Sequence, residues 1–299
     1  MRYLNPKADL TLVKVFGEYP DLIISFLNAL LPLGGKEDEI TWVEYLNPVE
    51  LIPQNPLWES NIVDVRCKDR LGRQFIVEMQ MMWTSAYRQR VLFNASKAYV
   101  SQLEKGGDYE LLQPVYSLNL VNDIFSESSD YYHDFKIVEE AETREVIEGL
   151  RFIFIELPKF TPKNYGDRKM QVLWLRYLTE INERTREVPE ELLENPEICK
   201  AVSQLEESAF SEAQLLGYDR FWDMVSTAKM QISSSRREAH EKGLAEGRAE
   251  GRAEGLEEGL EKGREEERLS IARMMKSQGI SPEDIALFTK LSLDEINRL

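Results

Sequence analysis

The chain has 299 residues, 42% hydrophobic and 10% aromatic, which is enough for one sizeable core with appendages or for two domains and excludes a disordered chain. Its net charge of −16 argues against a generally basic nucleic-acid binder, leaving a metal site or local basic patches as routes to an anionic polymer. Two cysteines, Cys67 and Cys199, without CxxC spacing exclude a disulfide scaffold and a cysteine zinc site.

In chain order, residues 7–31 read as helix, with an apolar face from Asp21 to Leu31 stopped by Pro32. Residues 40–46 read as a strand. Residues 60–67 and 74–80 are short apolar, β-branched runs separated by a turn-like stretch containing Gly72, and they read as a hairpin. A helix follows over 85–103 and ends at Gly106-Gly107. Strand-like runs recur at 114–121, 131–138 and 151–157. From about residue 170 the pattern is helical, over 170–182, 197–207 and 212–232, with Ser211 as a cap for the last. No signal segment or membrane-length apolar run is present, so the expectation is a soluble cytoplasmic protein with no membrane partner.

A hairpin centred on Leu71 places Asp64 directly opposite Glu78, with Gln80 on the same face. Opposed side chains sit roughly 5 Å apart at Cβ, where like charges destabilise. A divalent cation is the commonest reason for such a pair, and it suggests metal-dependent phosphodiester chemistry. Asp64, Glu78 and the Met79 carbonyl are candidate ligands for magnesium. Gln80 can orient a water or touch the phosphate, but as a neutral amide it is no strong base. Asp9 can add a carboxylate if its helix packs over the sheet edge; it is equally a candidate helix N-cap. Lys14 is the nearest basic group, and the helix with Tyr87, Arg88, Arg90 and Lys97 can track a DNA backbone. Arg88, Arg90 and Lys97 also read as an ordinary solvated face, and Asp64 as an ion-pair partner of Arg66 or Arg90.

Residues 233–268 are a charged tract with glycine at 243, 247, 251, 255, 259 and 263. Each helical glycine costs about 1 kcal/mol relative to alanine, so a helix here needs compensation. A parallel pair of such helices would set Arg248 and Arg252 against the partner's Glu246, Glu250 and Glu254. The tract therefore reads as a homo-oligomeric stalk, with a right-handed supercoil if any; a flexible solvated linker is the competing reading. In the tail, Ser281-Pro282-Glu283-Asp284 and Ser292-Leu-Asp-Glu295 are two helix starts. Acidic residues at the second make a packing or oligomerisation unit a better reading than a DNA reader.

The chain resembles the Rpn-like recombination-promoting nuclease/putative transposase family of the PD-(D/E)XK nuclease superfamily. The resemblance rests on Asn5-Pro6-Lys7-Ala8-Asp9-Leu10-Thr11, Ile62-Val-Asp64-Val-Arg66, Phe75-Ile-Val-Glu78-Met-Gln80, Gln89 to Tyr99, the glycine tract and the tail. It implies magnesium-dependent DNA cleavage with Asp64 and Glu78 as ligands, and Gln80 where the superfamily more often has lysine. The expected fold is α/β: a restriction-endonuclease-like mixed sheet flanked by helices over 1–165, a helical extension over 166–232, the glycine-repeat stalk over 233–268 and a small helical tail over 269–299. The competing functional readings are a catalytically silent oligomeric scaffold that binds nucleic acid or protein, and an RNase-H-like transposase, for which no third acid stands out.

Overall fold

The computed structural model of this chain describes residues 2–46, 65–103, 106–162 and 169–299. Asp64 and the rest of the run at 60–64 lie outside the described residues. The strands are β1 (Glu44–Tyr45), β2 (Val65–Lys68), β3 (Gln74–Gln80), β4 (Val115–Val121), β5 (Tyr132–Val138) and β6 (Val146–Glu156). They form one mixed sheet in the order β1-β2-β3-β4-β6-β5, with β3, β4 and β6 parallel. β1 is shorter than expected because the Asn28 side-chain amide takes both backbone groups of Ile40, at 2.9 Å and 2.8 Å, and so removes them from any ladder. β6 starts earlier than expected because the antiparallel pairing with β5 extends to Val138↔Val146.

The hairpin between β2 and β3 has the register read from the sequence, from Val65↔Val77 to Lys68↔Gln74. Its turn is fixed by Asp69, whose Oδ1 accepts the Leu71 and Arg73 amides at 3.0 Å each, while Oδ2 pairs with Arg73 Nε at 2.7 Å. Gly72 takes φ 81°, where a side chain would be strained. Register matters because a one-residue slip would exchange the two faces of β3.

Those faces meet different helices. The segment expected as one helix over 7–31 is α1 (Asp9–Leu12), running into a π-helical turn over Val13–Gly17, and then α2 (Pro20–Leu30). Tyr19 is extended and Pro20, which has no amide to donate, opens the second helix. α2 buries Leu22, Ile23, Phe26, Leu27 and Leu30 at helical spacing. These pack with Phe75, Val77 and Met79 of β3 and with Leu173, Trp174 and Leu178, which belong to the later α4 (Lys169–Glu180). The opposite face of β3 meets α3 (Tyr87–Val100), whose small Ala95 and Ala98 pack with Ile76. Gln74, Glu78 and Gln80 share that face with Ile76 by the two-residue period of the strand.

α5 (Glu190–Leu193) and α6 (Pro196–Ser203) follow α4, and α7 spans Glu212–Ser277. Ser211 caps α7 as expected: its Oγ accepts the Gln214 amide at 3.4 Å and Gln214 Oε1 accepts the Ser211 amide at 2.9 Å. The composition changes at 233 and 269 both fall inside α7, so the tract is part of one continuous helix. A period of four against about 3.6 residues per turn turns the glycine stripe by roughly 40° per repeat around a straight helix.

The described chain divides into two units, Met1–Thr227 and Ala228–Leu299. In the second, α8 (Pro282–Thr289) and α9 (Leu293–Arg298) close a small core of Ala272, Ile285 and Ile296. Both expected tail caps form: Ser281 accepts the Asp284 amide, and Ser292 with Glu295 makes a reciprocal capping box.

Candidate active site

Glu78 lies near the C-terminal end of β3 and is 5% exposed. Burial raises its carboxyl above the ordinary value, and the Arg90 guanidinium, arriving from α3, partly offsets that rise. Arg90 Nη2 donates to Glu78 Oε1 in a short charged hydrogen bond and to Gln80 Oε1 at 2.5 Å. Because a guanidinium only donates, the amide oxygen of Gln80 must face it. The Gln80 Nε2 in turn donates to Met82 O at 2.5 Å. Gln80 is therefore anchored at both ends. Arg90 lies over the Tyr87 ring at 4.9 Å, and the Tyr87 hydroxyl bonds to Asn119 Oδ1 at 3.2 Å. Asn119, fully buried, is the β4 neighbour of Glu78.

A second carboxylate reaches the site from α1. Asp9 is half-buried, and burial together with the charge of Glu78 raises its carboxyl to about 6. It is not a helix cap: Ala8 occupies that position and no side chain caps the turn. What holds it is a staple that sequence reasoning missed. Thr11 Oγ1 lies 2.6 Å from Asn5 O and 2.8 Å from Ala8 O, and the Asn5 amide donates to the Tyr218 hydroxyl at 2.8 Å. Tyr218 comes from α7, so no local pattern in residues 5–11 could reveal it.

Backbone pairing sets the direction of the Met79 carbonyl. Gln74 N donates to Pro114 O at 2.9 Å, and Gln80 O accepts from Asn122 N at 2.8 Å. The even-numbered residues of β3 thus spend their backbone groups on β4, and Met79 turns its carbonyl to the β2 side, beyond the last described pair Val65↔Val77.

Donor chemistry here fits a hard divalent cation. Among the described residues neither the Asp9 carboxylate nor Glu78 Oε2 accepts a hydrogen bond, yet both groups are buried or half-buried beside each other. These oxygens are not sealed from solvent, so they are open to a cation, and oxygen ligands suit magnesium. Among the described residues no cluster of three or more metal-ligating side chains forms; Asp64, the third expected carboxylate, lies outside them.

The other expected residues are distributed as follows. Arg88 is exposed, with its guanidinium over the rings of Trp83 at 5.3 Å and Phe125 at 5.4 Å. Lys97 is half-buried toward the end of α3. Lys14 is engaged by the segment before α7: its Nζ donates to Ala209 O at 3.3 Å and sits 4.8 Å from the Phe210 ring centre. Arg66 bonds to Gln74 Oε1 at 2.7 Å.

A separate carboxylate, Glu156, is fully buried at the end of β6. Burial acts to raise it, but bonds from Lys159 Nζ at 2.7 Å, Phe125 N at 2.6 Å, His133 Nε2 at 2.8 Å and Ser126 N at 3.1 Å prevail and hold it below the ordinary range. Every polar partner is satisfied, so this cluster fastens the segment after β4.

A mixed six-stranded sheet covered by helices on both faces, with carboxylates gathered near the end of a central strand, is consistent with the PD-(D/E)XK nuclease fold. A family model described as PD-(D/E)XK nuclease family transposase matches residues 6–234, and the chain belongs to that family. No curated protein and no solved structure matches the chain.

Proposed function

We propose that this protein is a magnesium-dependent DNA endonuclease that hydrolyses phosphodiester bonds in DNA recombination or the movement of mobile elements. The observation that carries the reading is the approach of Asp9 and Glu78, from elements far apart in the chain, with the Asp9 carboxylate and Glu78 Oε2 accepting no hydrogen bond among the described residues. The β2–β3 register supports it, because Val65 pairs with Val77 and the covalent neighbours of that pair are Asp64 and Glu78.

In this reading Asp64, Glu78, Asp9 and the Met79 carbonyl hold the ion. The ion supplies Lewis acidity toward the phosphate and an acidified water. Gln80, anchored by Arg90 and Met82, orients the remaining polar contacts. Arg88 and Lys97 on α3 follow the DNA backbone, where the exposed Arg88 is already ordered by its two aromatic neighbours. Lys14, held on Phe210, is the weaker candidate for DNA. Membrane attachment through a helix is not part of the reading, since no helix of the described residues is long and apolar enough to cross a bilayer.

Two copies associate through residues 233–268. In the single chain the tract's ion pairs are Lys242–Glu246 and Lys262–Glu258, and among the described residues Arg248 and Arg252 have none. Those arginines are available for a partner's glutamates, and a dimer would hold two sites for the two strands of a duplex.

Calorimetric titration with magnesium tests the site. Binding in the wild type that is lost in both Asp64→Asn and Glu78→Gln supports it. Binding unchanged in both refutes it.

A further inference from the structure

We propose that Arg90 is the positioning residue of this site: it grips one oxygen of Glu78 and the amide oxygen of Gln80, leaves Glu78 Oε2 to the cation, and keeps on the site the positive charge that Gln80 does not carry. The inference rests on the metal-site reading above and assigns a role within it that backbone tracking does not describe.

Three observations carry it. First, a single guanidinium nitrogen, Nη2, bridges Glu78 Oε1 and Gln80 Oε1, so the two side chains are set relative to each other by Arg90 rather than by the strand alone. Second, the bridging is one-sided. Glu78 Oε2 accepts no hydrogen bond among the described residues, and an oxygen so presented is the one a cation can take while Oε1 stays held. Third, Arg90 is itself fixed. It stacks on Tyr87, Tyr87 is pinned by Asn119, and Asn119 is bonded to Ile153 O at 3.2 Å and Ser117 O at 3.0 Å in the sheet. The guanidinium is therefore held in place before any ligand arrives, and its Nε is buried with no partner among the described residues.

Charge balance gives the arrangement a purpose. Asp9 and Glu78 bring two negative charges, and a phosphodiester a third. A divalent ion offsets two of these. Gln80 contributes none, and Arg90, bonded to Glu78 itself, is a fixed positive charge that can offset more. Its side chain is 39% exposed, which leaves it reachable from the solvent side where DNA would lie.

The test is relocation of the charge. The set is wild type, Arg90→Gln, Gln80→Lys and the double variant Gln80→Lys/Arg90→Gln, with Arg90→Lys as a fifth. Each is measured for plasmid cleavage (kcat and KM separately), for magnesium affinity by calorimetry and for the cation-free unfolding midpoint. Arg90→Gln is expected to lower kcat by about 10–100-fold with KM within a few-fold, and to lower the unfolding midpoint. The double variant is expected to recover both, because an ammonium at position 80 meets Glu78 where the guanidinium did. A residue that only packs on Tyr87 would not be rescued from position 80. If Arg90→Gln does not fold, Arg90→Lys keeps the charge and loses the bridge; a fall in kcat at wild-type midpoint then supports the proposal. Unchanged kcat in Arg90→Gln or Arg90→Lys, or a double variant no better than Arg90→Gln, overturns it while leaving the nuclease reading intact. A wild type that neither binds magnesium nor cleaves overturns the nuclease reading, and this proposal with it.

Discussion

Asp9 in the first turn of α1 lies close enough to Glu78 on β3 for the charge of Glu78 to add to burial in raising the Asp9 carboxyl to about 6. The fold thus holds two carboxylates together at a cost, and a cation would relieve it.

Stability without cation should depend on pH through Asp9. Its ordinary value is 3.8 and its folded value about 6, so the folded protein binds the proton more tightly. The favourable contribution is complete below about pH 4 and is lost as pH rises through about 6. Partial exposure discounts the effect to on the order of 2 kcal/mol. Urea midpoints of the cation-free protein should fall across that interval, and Asp9→Asn should flatten the fall. Parallel profiles for the two proteins would rule out Asp9 as the source.

Glu156 should act in the opposite sense. Its carboxyl is held below the ordinary 4.5, so its contribution is present above that value and lost as pH falls through the lowered one. Glu156→Ala leaves Lys159 with its charge uncompensated in a largely buried setting, at a cost of about 3–5 kcal/mol. Hydrogen exchange at the Phe125 and Ser126 amides should accelerate in this variant. Protection equal to wild type would mean that Glu156 does not fasten that segment.

The α1 staple predicts that Thr11→Val weakens magnesium binding from a distance. The hydroxyl's bonds to Asn5 O and Ala8 O are replaced by an apolar group of similar shape, at about 1–2 kcal/mol of stability. Asp9 follows directly on Ala8, so its placement should loosen. Calorimetry should report several-fold weaker binding; wild-type affinity with lowered stability would show that the staple serves folding alone.

Pairing through the glycine tract predicts a mass twice that of one chain in light scattering at tens of micromolar. Reversing Glu246, Glu250 and Glu254 to lysine sets like charges against Arg248 and Arg252 of the partner and should return the protein to single chains. A wild type already monomeric at that concentration ends the proposal.

Local pattern made the central hairpin legible, because Asp69 and Gly72 encode the turn and the turn fixes the register. The tail caps were legible for the same reason. The break between α1 and α2 is hidden in the pattern, although Gly17 and Pro20 mark it, because the apolar period runs on through the π-helical turn. By helical spacing Arg90 reads as a residue on a DNA-tracking face. Its bond to Glu78 joins a helix to a strand, and helical spacing carries no information about which way a long side chain crosses such a gap. Tyr218 and Asn5 are far apart in sequence, so their contact follows only from the packed fold.

The most direct test of the central claim is cleavage of supercoiled plasmid with and without magnesium by the wild type, Asp64→Ala and Glu78→Ala. The account predicts nicking or linearisation by the wild type only when magnesium is present, and its loss in both variants by at least about 100-fold. Cleavage that survives both substitutions, or that is indifferent to magnesium, would contradict it.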